Sequence, residues 1–373
     1  MGGEQGRIQV QVKINQQGPF LFLFDTGSMN VISLDLARKL GLEMSGHSTV
    51  QAFGGSIETA LALVDSINVG DLNMGGTQAV VISGGPFTEG GLAGMLGREF
   101  LAKLVTEVDY EHGTLKFFDP ETFVYAGGGA RVPVTLHDDG AISIPAQIFG
   151  VDADLQIDSG NGTSLVLYPR FVRKHGLKSK LGATTGYGYG GLTRAMVTRA
   201  PALRIGAFDI RNPVVHLSMN TRGIAEGSVD GNIGGSVLRE FTCIYDLPHR
   251  SFYLEPNTWY GKPELTDNSG LVIDSRGKSA RVLFVYPGSP AAEAGIVAGD
   301  ELKDSNERDF TGDQLHDLLD AVPGSNVCVT VMHQARVTPD VFRTEVVSLI
   351  NLHQNVREYR IGGSSFLGKR RCQ

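Results

Sequence analysis

Phe24-Asp25-Thr26-Gly27-Ser28 and Ile157-Asp158-Ser159-Gly160-Asn161 are two copies of one short pattern in this 373-residue chain. Each copy follows an apolar run that is typical of a buried strand, and each contains the Asp and Gly that favour a tight turn. A single Asp-Thr-Gly occurs by chance often enough to carry little information. The pair is informative only if the sequence around it is duplicated as well.

The sequence around both copies repeats in the same order. The second aspartate follows the first by 133 residues, and the offset grows to 137 further along the chain. The repeated landmarks are the segments 33–42 and 168–177, 53–55 and 189–191, 69–70 and 205–206, and 95–97 and 232–234. A drift of four residues indicates a duplicated domain with small loop insertions, and such a repeat sets the architecture.

Both halves have the pattern of β-strands. Residues 8–14 alternate between apolar and polar side chains with a period of two, and long helical periodicity is absent. Short helices are predicted between the N-cap Ser33 and Gly41, and between Pro169 and Gly176. We therefore expect two β-rich lobes of similar topology that face each other.

Composition argues against several classes of function. The net charge is −7, and the only basic block is the short segment 369–371, so we expect no nucleic-acid partner. No apolar stretch is long enough to span a membrane, and the histidines show no metal-binding spacing, so we expect neither a metal nor another cofactor. Residues 1–6 lack an apolar signal core, which leaves the compartment open: periplasmic or secreted after removal of a signal peptide, otherwise cytoplasmic.

The three cysteines, Cys243, Cys328 and Cys372, follow no disulfide or zinc-binding pattern. Cys243 and Cys328 lie in strand-like runs, whereas Cys372 lies in the tail. We expect Cys243 and Cys328 to be buried, unbridged small hydrophobic residues.

A different pattern begins after Pro256. Residues 286–300 read YPGSPAAEAGIVAGD, in which Ser289 is a candidate N-cap, Pro290 suits the first helical position and Gly295 ends the helix. This string resembles the signature of PDZ domains, and the resemblance covers residues 262–353.

The PDZ resemblance implies a peptide-binding groove. Gly270, Leu271 and Val272 would form the carboxylate-binding loop and the strand beside the groove, so that a peptide C-terminus adds as an edge strand. A PDZ domain that serves only as a structural appendage, with no free peptide ligand, is the alternative.

The duplicated halves resemble the retropepsin-like and pepsin-like aspartic proteases. Three ordered motifs carry the resemblance: the two Asp-Thr/Ser-Gly turns, a Gly-Gly flap sequence in each half, and the apolar-Gly segments 94–101 and 231–238. The resemblance implies a mainly β, bilobal acid-protease fold of two similar β-barrel lobes, followed by the PDZ domain. The predicted domains are lobe 1 (1–126), lobe 2 (130–258), the PDZ domain (262–353) and a tail (354–373).

Asp25 and Asp158 are the predicted catalytic pair. Two carboxylates a few ångströms apart cannot both ionise at low cost, so one pKa rises and the pair shares a proton, as the aspartic proteases exemplify. The ionised member takes a proton from a bridging water and the protonated member polarises the scissile carbonyl. Because the two sites titrate as a unit, the sequence assigns neither aspartate a fixed role.

Residues beside the aspartates are predicted to support both turns: Thr26, Gly27, Ser28, Ser159 and Gly160. By resemblance, the hydroxyls of Thr26 and Ser159 would cross-brace the two turns, and the glycines would allow close backbone approach. Ser28 is a candidate donor to the outer oxygen of Asp25. Asn161 stands where the family has Ser, Thr or Ala, a departure that bears on the pH optimum.

Two hairpin tips are the predicted flaps, formed by Phe53, Gly54 and Gly55 in the first half and by Tyr189, Gly190 and Gly191 in the second. They would close over an extended substrate and exclude water. Pepsins keep one dominant flap, so two flap sequences favour a fused retropepsin-like pair.

The sequence thus predicts an aspartic endopeptidase that cleaves extended polypeptides between apolar residues without a metal or cofactor. Its partners would be polypeptide substrates and, for the PDZ domain, a peptide C-terminus. The alternative is a catalytically inactive, protease-like scaffold that binds a partner chain. A peptide-library digest with variants of Asp25 and Asp158 distinguishes the two.

Overall fold

The computed structural model describes most of the chain up to residue 262 and shorter segments beyond it. The described residues are 7–84, 87, 91–179, 182–262, 264, 266–267, 269–274, 280–285, 289–304, 306, 308–309, 312–321, 326–332, 344–345 and 348–351. The chain divides into an N-terminal unit (1–178 and 186–262) and a C-terminal unit (179–185 and 263–373). The predicted domain boundaries stay a prediction, and the tail 354–373 lies outside the described residues.

The N-terminal unit is mainly β. Its strands are β1 (Ile8–Ile14), β2 (Gln17–Phe24), β3 (Val31–Ser33), β4 (Met44–Ala52), β5 (Gly55–Val69), β6 (Leu72–Ile82), β7 (Gly94–Leu96), β8 (Val105–Asp109), β9 (Thr114–Phe118), β10 (Ala130–Pro133), β11 (Thr135–Leu136), β12 (Ile142–Ile148), β13 (Val151–Ile157), β14 (Leu165–Leu167), β15 (Gly182–Gly188, which begins in the segment assigned to the C-terminal unit), β16 (Gly191–Arg199), β17 (Ala202–Ile205), β18 (Phe208–Arg211), β19 (Val214–Ser218), β20 (Gly231–Ile233), β21 (Phe241–Asp246) and β22 (Ser251–Pro256). Its helices are α1 (Leu34–Lys39), α2 (Arg98–Leu101), α3 (Pro169–Lys174), α4 (Gly235–Leu238) and a 3₁₀ helix at Gly223–Glu226.

The duplication seen in the sequence is also a duplication of strand order. The first sheet runs β1-β2-β7-β3-β6-β5-β4, and the second contains the run β12-β13-β20-β14-β19-β16. In each half the strand before the aspartate pairs in parallel with the strand of the apolar-Gly segment, β2 with β7 and β13 with β20. Equivalent strands therefore bring the two aspartate turns to equivalent places in their sheets.

A third sheet joins the two halves. Its order is β10-β22-β21-β8-β9, so strands from before residue 119 lie beside strands from after residue 240. Asp109 and Asp246, which repeat at the same offset as the segments 95–97 and 232–234, are turn residues at the ends of β8 and β21. They accept hydrogen bonds from the backbone N–H groups of His112 (3.0 Å) and His249 (3.3 Å).

One continuous apolar core runs through both halves of the N-terminal unit. Phe22 and Phe24 on β2, and Leu155 and Ile157 on β13, are at most 1% exposed. Burial of such side chains stabilises a fold by about 1.5–3 kcal/mol each. The strands that carry the aspartates are thus anchored in this apolar core.

The predicted ends of the short helices are confirmed. Ser33 Oγ accepts from Leu36 N at 3.1 Å at the start of α1, and Gly41 follows with a φ of +64°. Pro169 occupies the first position of α3, and Gly176 has a φ of +60°. Glycine meets a positive φ without the steric penalty of a Cβ, so both helices end where the sequence places glycine.

The C-terminal unit has its own small core. Its elements are β23 (Thr266–Asp267), β24 (Leu271–Asp274), β25 (Ala280–Val285), α5 (Pro290–Glu293), β26 (Glu301–Lys303), α6 (Gly312–Leu319), β27 (Asp320–Ala321), β28 (Asn326–Cys328), β29 (Thr330–Met332), β30 (Thr344–Glu345) and β31 (Ser348–Asn351). Strands β24-β25-β26-β29-β30 form a sheet. Leu315 and Leu319 of α6 are buried in the same apolar cluster as Leu302 of β26.

The cysteine expectations hold for one residue and fail for another. Cys243 on β21 is buried and free, as expected. Cys328 on β28 is disulfide-bonded and half-buried, so the expectation of a buried, unbridged thiol is wrong. Three cysteines leave room for one bridge, and pairing depends on which strands and loops meet in space rather than on spacing along the chain.

Among the described helices, none has the length and apolar character to cross a bilayer.

Candidate active site

The two aspartate turns sit at the ends of β2 and β13. Asp25 N donates to Leu96 O and Asp158 N donates to Ile233 O, each at 2.9 Å. The apolar-Gly segments therefore hold the backbone at the point where each aspartate turn leaves its strand. Asp25 is 8% exposed and Asp158 is 6% exposed.

Four hydrogen bonds cross-brace the two turns. Thr26 N donates to Ser159 Oγ at 3.1 Å, and Ser159 N donates to Thr26 Oγ1 at 3.0 Å. The same hydroxyls donate across to backbone carbonyls, Thr26 Oγ1 to Ile157 O at 2.8 Å and Ser159 Oγ to Phe24 O at 2.9 Å. Each hydroxyl thus accepts from the turn of the opposite half and donates to the last residue of the strand before that turn. Neither half satisfies these groups alone.

The glycine of each turn lies against the aspartate of the other. Gly27 N donates to Asp25 Oδ1 at 2.9 Å, and Gly160 N donates to Asp158 Oδ1 at 3.0 Å. A Cβ at Gly27 would lie 2.7 Å from Asp158 Oδ1, and a Cβ at Gly160 would overlap the Asp25 carboxyl group. Only glycine allows the carboxyl groups to approach this closely, and the turns bring Asp25 and Asp158 together.

The two predicted flap tips also meet. Gly54 lies between β4 and β5 with a φ of +93°, and Gly191 begins β16 with a φ of +118°. Gly190 N donates to Phe53 O at 2.8 Å. A Cβ at Gly55 would lie 2.9 Å from Gly190 O, so glycine is needed for the tips to touch.

Aromatic side chains join the tips to the two halves. Phe53 packs edge-on against Tyr168 with ring centroids 6.4 Å apart, and Tyr189 stacks on Phe87 at 5.4 Å. Burial, and next the nearby charge of Asp25, raise the pKa of the Tyr189 hydroxyl. The second tip therefore places an aromatic ring within electrostatic range of Asp25.

Residues 10–100 match a family model described as Aspartyl protease. The match supports an aspartyl protease domain. It includes Asp25, the first flap tip and the apolar-Gly segment as far as Phe100. No curated protein matches the chain.

Burial perturbs both carboxyl groups of the Asp25–Asp158 pair. Burial, together with the charge of Asp158, raises the pKa of Asp25 well above its ordinary value. Burial also raises the pKa of Asp158, against the effect of hydrogen bonds from Asn232 and Asp25. A buried pair in which one member holds a proton is the arrangement that shares a single charge between two carboxylates.

The hydrogen bond predicted from the Ser28 hydroxyl to Asp25 is not formed among the described residues. Ser28 instead uses its backbone N–H, which donates to Asp25 O at 3.3 Å. In the second turn Asn161 N donates to Asp158 Oδ1 at 3.1 Å. The side chain of Asn161 donates to Asn232 Oδ1 at 2.7 Å.

Asn232 is a residue of the site that the sequence analysis did not single out. Its Nδ2 donates to Asp158 Oδ2, and the side chain is fully buried. The signal was present in the repeat, because Met95-Leu96-Gly97 aligns with Asn232-Ile233-Gly234. An amide where the other copy has a methionine marks a difference in what each aspartate contacts.

The predicted PDZ residues lie at the start of β24. Gly270 has a φ of +77°, and a Cβ there would overlap the side chain of Ser289. Leu271 N donates to Ser269 Oγ at 3.2 Å and Leu271 is buried. The backbone of Val272 pairs with Phe284, and its side chain lies outside the described residues.

Within the described part of the chain, no cluster of three or more His, Cys, Asp or Glu side chains could hold a metal ion.

Proposed function

We propose that this chain is an aspartic endopeptidase that hydrolyses peptide bonds with a water activated between Asp25 and Asp158. The observation that carries the proposal is the pairing of the two turns, in which each buried carboxylate lies against the glycine of the opposite turn. The proposed domains are an acid-protease lobe at 1–126, a second lobe at 130–258 and a PDZ domain at 262–353.

The pair supplies both proton-transfer functions that amide hydrolysis needs. One ionised carboxylate accepts a proton from water as the water oxygen bonds to the scissile carbon. The protonated carboxyl donates to the carbonyl oxygen, so no charged tetrahedral species forms in the buried site. Burial keeps one proton on the pair because two adjacent charges would be costly there.

The proposed substrate is an extended polypeptide with apolar side chains beside the scissile bond. An apolar cluster next to the second flap tip contains Phe87, Leu92 and Met95, with Tyr189 and Met29 packed against it. Apolar side chains of a substrate would replace water against such a surface, at about 25 cal/mol per Å² buried. The glycine-rich tips leave backbone N–H and C=O groups free of bulky side chains, which suits hydrogen bonds to an extended backbone.

The proposed role of the C-terminal unit is to bind a peptide C-terminus at Gly270, Leu271 and Val272. The turn at Gly270 and the short α5 that follows Ser289 support it, because such a loop presents backbone N–H groups to a carboxylate. A fluorescent peptide with a free C-terminal carboxylate should bind the full chain more tightly than the same peptide with an amidated end. Equal binding of both would contradict the proposal and favour a structural appendage.

The second candidate function is an inactive scaffold that binds a partner chain. The contact between the two flap tips favours it, because the hydrogen bond from Gly190 N to Phe53 O joins the tips to each other. An enzyme must break this contact at each turnover, whereas a scaffold need not. Activity therefore decides between the two.

The deciding experiment is a digest of casein and a peptide library across acid to neutral pH. The unmodified chain should cleave, and Asp25→Asn and Asp158→Asn should each abolish cleavage. Asp109→Asn is the matched control, since Asp109 is an aspartate of the same half whose carboxylate binds His112 rather than the dyad. A folded chain that cleaves nothing at any pH would refute the enzyme proposal and leave the scaffold.

A further inference from the structure

The two aspartates have equivalent positions and different neighbours. Strand register pairs Leu23 with Met95 in the first half and Gln156 with Asn232 in the second. Met95 and Asn232 therefore occupy the same structural position, one residue before the carbonyl that anchors each aspartate turn. The first half has a thioether there and the second half has an amide.

Asn232 is oriented by a chain of hydrogen bonds. Its Nδ2 donates to Asp158 Oδ2, while its Oδ1 accepts from Asn161 Nδ2 at 2.7 Å. Asn161 Oδ1 in turn accepts from the backbone N–H and the hydroxyl of Thr163, each at 2.9 Å. Thr163 thus sets the orientation of Asn161, and Asn161 sets the orientation of Asn232, so that the NH₂ group of Asn232 faces the carboxylate.

An amide NH₂ group can donate but cannot accept, which distinguishes it from a hydroxyl, which can do both. A hydroxyl rotates to accept from a protonated carboxyl oxygen, whereas the Asn232 NH₂ group requires a lone pair on Asp158 Oδ2. The other oxygen, Oδ1, accepts from the backbone N–H groups of Gly160 and Asn161 at 3.0 and 3.1 Å. Both oxygens of Asp158 therefore face donors.

Asp25 has a different environment. Its Oδ1 accepts from Gly27 N at 2.9 Å, and a backbone hydrogen bond from Ser28 also lowers the pKa of Asp25, as the turn N–H groups do at Asp158. The difference lies at the position of Asn232, where Met95 has no N–H or O–H group to offer. Met95 instead belongs to an apolar cluster against which Tyr189 packs. An apolar environment disfavours the charged form of a carboxyl group.

We propose that Asn232 is a positioning residue that places the shared proton of the dyad on Asp25 and keeps Asp158 as the base. This inference rests on the proposed peptidase function. Water then attacks the scissile carbon, its proton passes to Asp158, and the proton of Asp25 passes to the carbonyl oxygen. When the C–N bond breaks, Asp158 returns its proton to the leaving nitrogen, and a hydroxyl of the diol returns a proton to Asp25.

Three tyrosine hydroxyls feel the charge of the dyad: Tyr110 and Tyr168 that of Asp158, and Tyr189 that of Asp25. Burial raises the pKa of all three, and the carboxylate charge adds to the effect. All three hydroxyls therefore remain neutral from acid to neutral pH. The proton balance of the site in that range belongs to Asp25 and Asp158.

The first test is the pH profile of kcat/KM for the full chain. Asn232→Leu removes the donor and should move the midpoint of the acidic limb upward by about one to two pH units, because a hydrogen bond to a charged group is being lost. The midpoint of the basic limb should move less, because Asp158 is ionised at pH values both below and above that midpoint. Met95→Leu, at the equivalent position, should leave the acidic limb in place.

Two further variants distinguish the effect of the lost hydrogen bond from a folding defect in Asn232→Leu. Asn161→Ala leaves Asn232 intact but unoriented, and should shift the acidic limb in the same direction by less. Asn232→Ser restores a donor and should recover part of the shift. A loss of kcat in Asn232→Leu with an unchanged acidic limb would overturn the proposal, because a merely structural residue gives that result.

The second test does not require activity. Carboxyl carbons of ¹³C-labelled aspartate are titrated by NMR, with Asp25→Asn and Asp158→Asn used for assignment. Asp158 should titrate at the lower pH in the unmodified chain, and Asn232→Leu should reduce or reverse the order. If Asp158 instead holds the proton, the proposal is wrong. A chain that cleaves no peptide but keeps the proton on Asp25 would refute the peptidase proposal alone.

Discussion

The cross-brace between the two aspartate turns allows a sharp test through Thr26. Thr26→Val keeps the branched shape of the side chain and removes only the hydroxyl. The substitution deletes the bond accepted from Ser159 N (3.0 Å) and the bond donated to Ile157 O (2.8 Å). Both partner groups belong to buried residues of the other half, and water cannot replace the hydroxyl without opening the contact between the turns.

The expected loss follows from the two groups left unpaired. A buried donor or acceptor that loses its partner costs about 1–3 kcal/mol. With one N–H and one C=O left unpaired, Thr26→Val should lower the free energy of unfolding by about 2–6 kcal/mol. Thr26→Ser keeps the hydroxyl and loses one methyl group, which should cost only about 1 kcal/mol. The difference between the variants isolates the hydrogen bonds.

Urea unfolding followed by tryptophan fluorescence measures this difference. Trp259 is the single tryptophan and lies in the N-terminal unit, beside Arg239 and Lys262, so its emission reports that unit. All variants are compared at one pH, so that the dyad holds the same number of protons. If Thr26→Val and Thr26→Ser unfold within about 0.5 kcal/mol of each other, the cross-brace does not hold the halves together.

Three further predictions concern the pair, the tips and the C-terminal unit. In the unmodified chain, the raised pKa values of the pair give stability that is complete at low pH and is lost as pH rises through the folded-state pKa. Asp25→Asn avoids this loss, so its unfolding midpoint in urea should exceed that of the unmodified chain by a margin that grows as pH rises. Equal stability of both chains at every pH would contradict this prediction. Gly190→Ala should lower kcat/KM by at least about tenfold, since a Cβ there would meet the backbone of Gly55, and an unchanged value would show that the tips need not touch. Ser289→Ala should lower the protection of the 291–293 amides from hydrogen exchange by about 1 kcal/mol, because Ser289 Oγ accepts from Ala292 N at 3.2 Å, while Ser289→Asp should retain most of it.

The site could be located from the sequence because the chain contains two copies of it. Alignment of the two sequence repeats predicted Asp25, Asp158 and both glycine tips as site residues without any knowledge of the fold. The helix ends at Ser33 and Gly41 were also predictable, since capping and positive φ are local properties.

Long-range features were not predictable in the same way. The sheet that joins the halves depends on pairing between β8 and β21, more than a hundred residues apart, and local patterns carry no information about such contacts. Asn232 was missed because its partner Asp158 lies 74 residues away. The disulfide at Cys328 was missed for the same reason, since the approach of two cysteines is a property of the folded chain.

The cross-brace between the two aspartate turns has a consequence for the synthesis of the protein. Each aspartate turn is completed by hydroxyl and backbone groups that follow or precede it by about 133 residues, so the first half emerges from the ribosome with its turn unfinished. The joining sheet also needs β21 and β22, which are synthesised last in the N-terminal unit. A nascent chain that ends before residue 158 therefore contains one carboxylate and no dyad. The joining sheet is complete only after synthesis has passed residue 256, so the proposed peptidase activity would begin after that point.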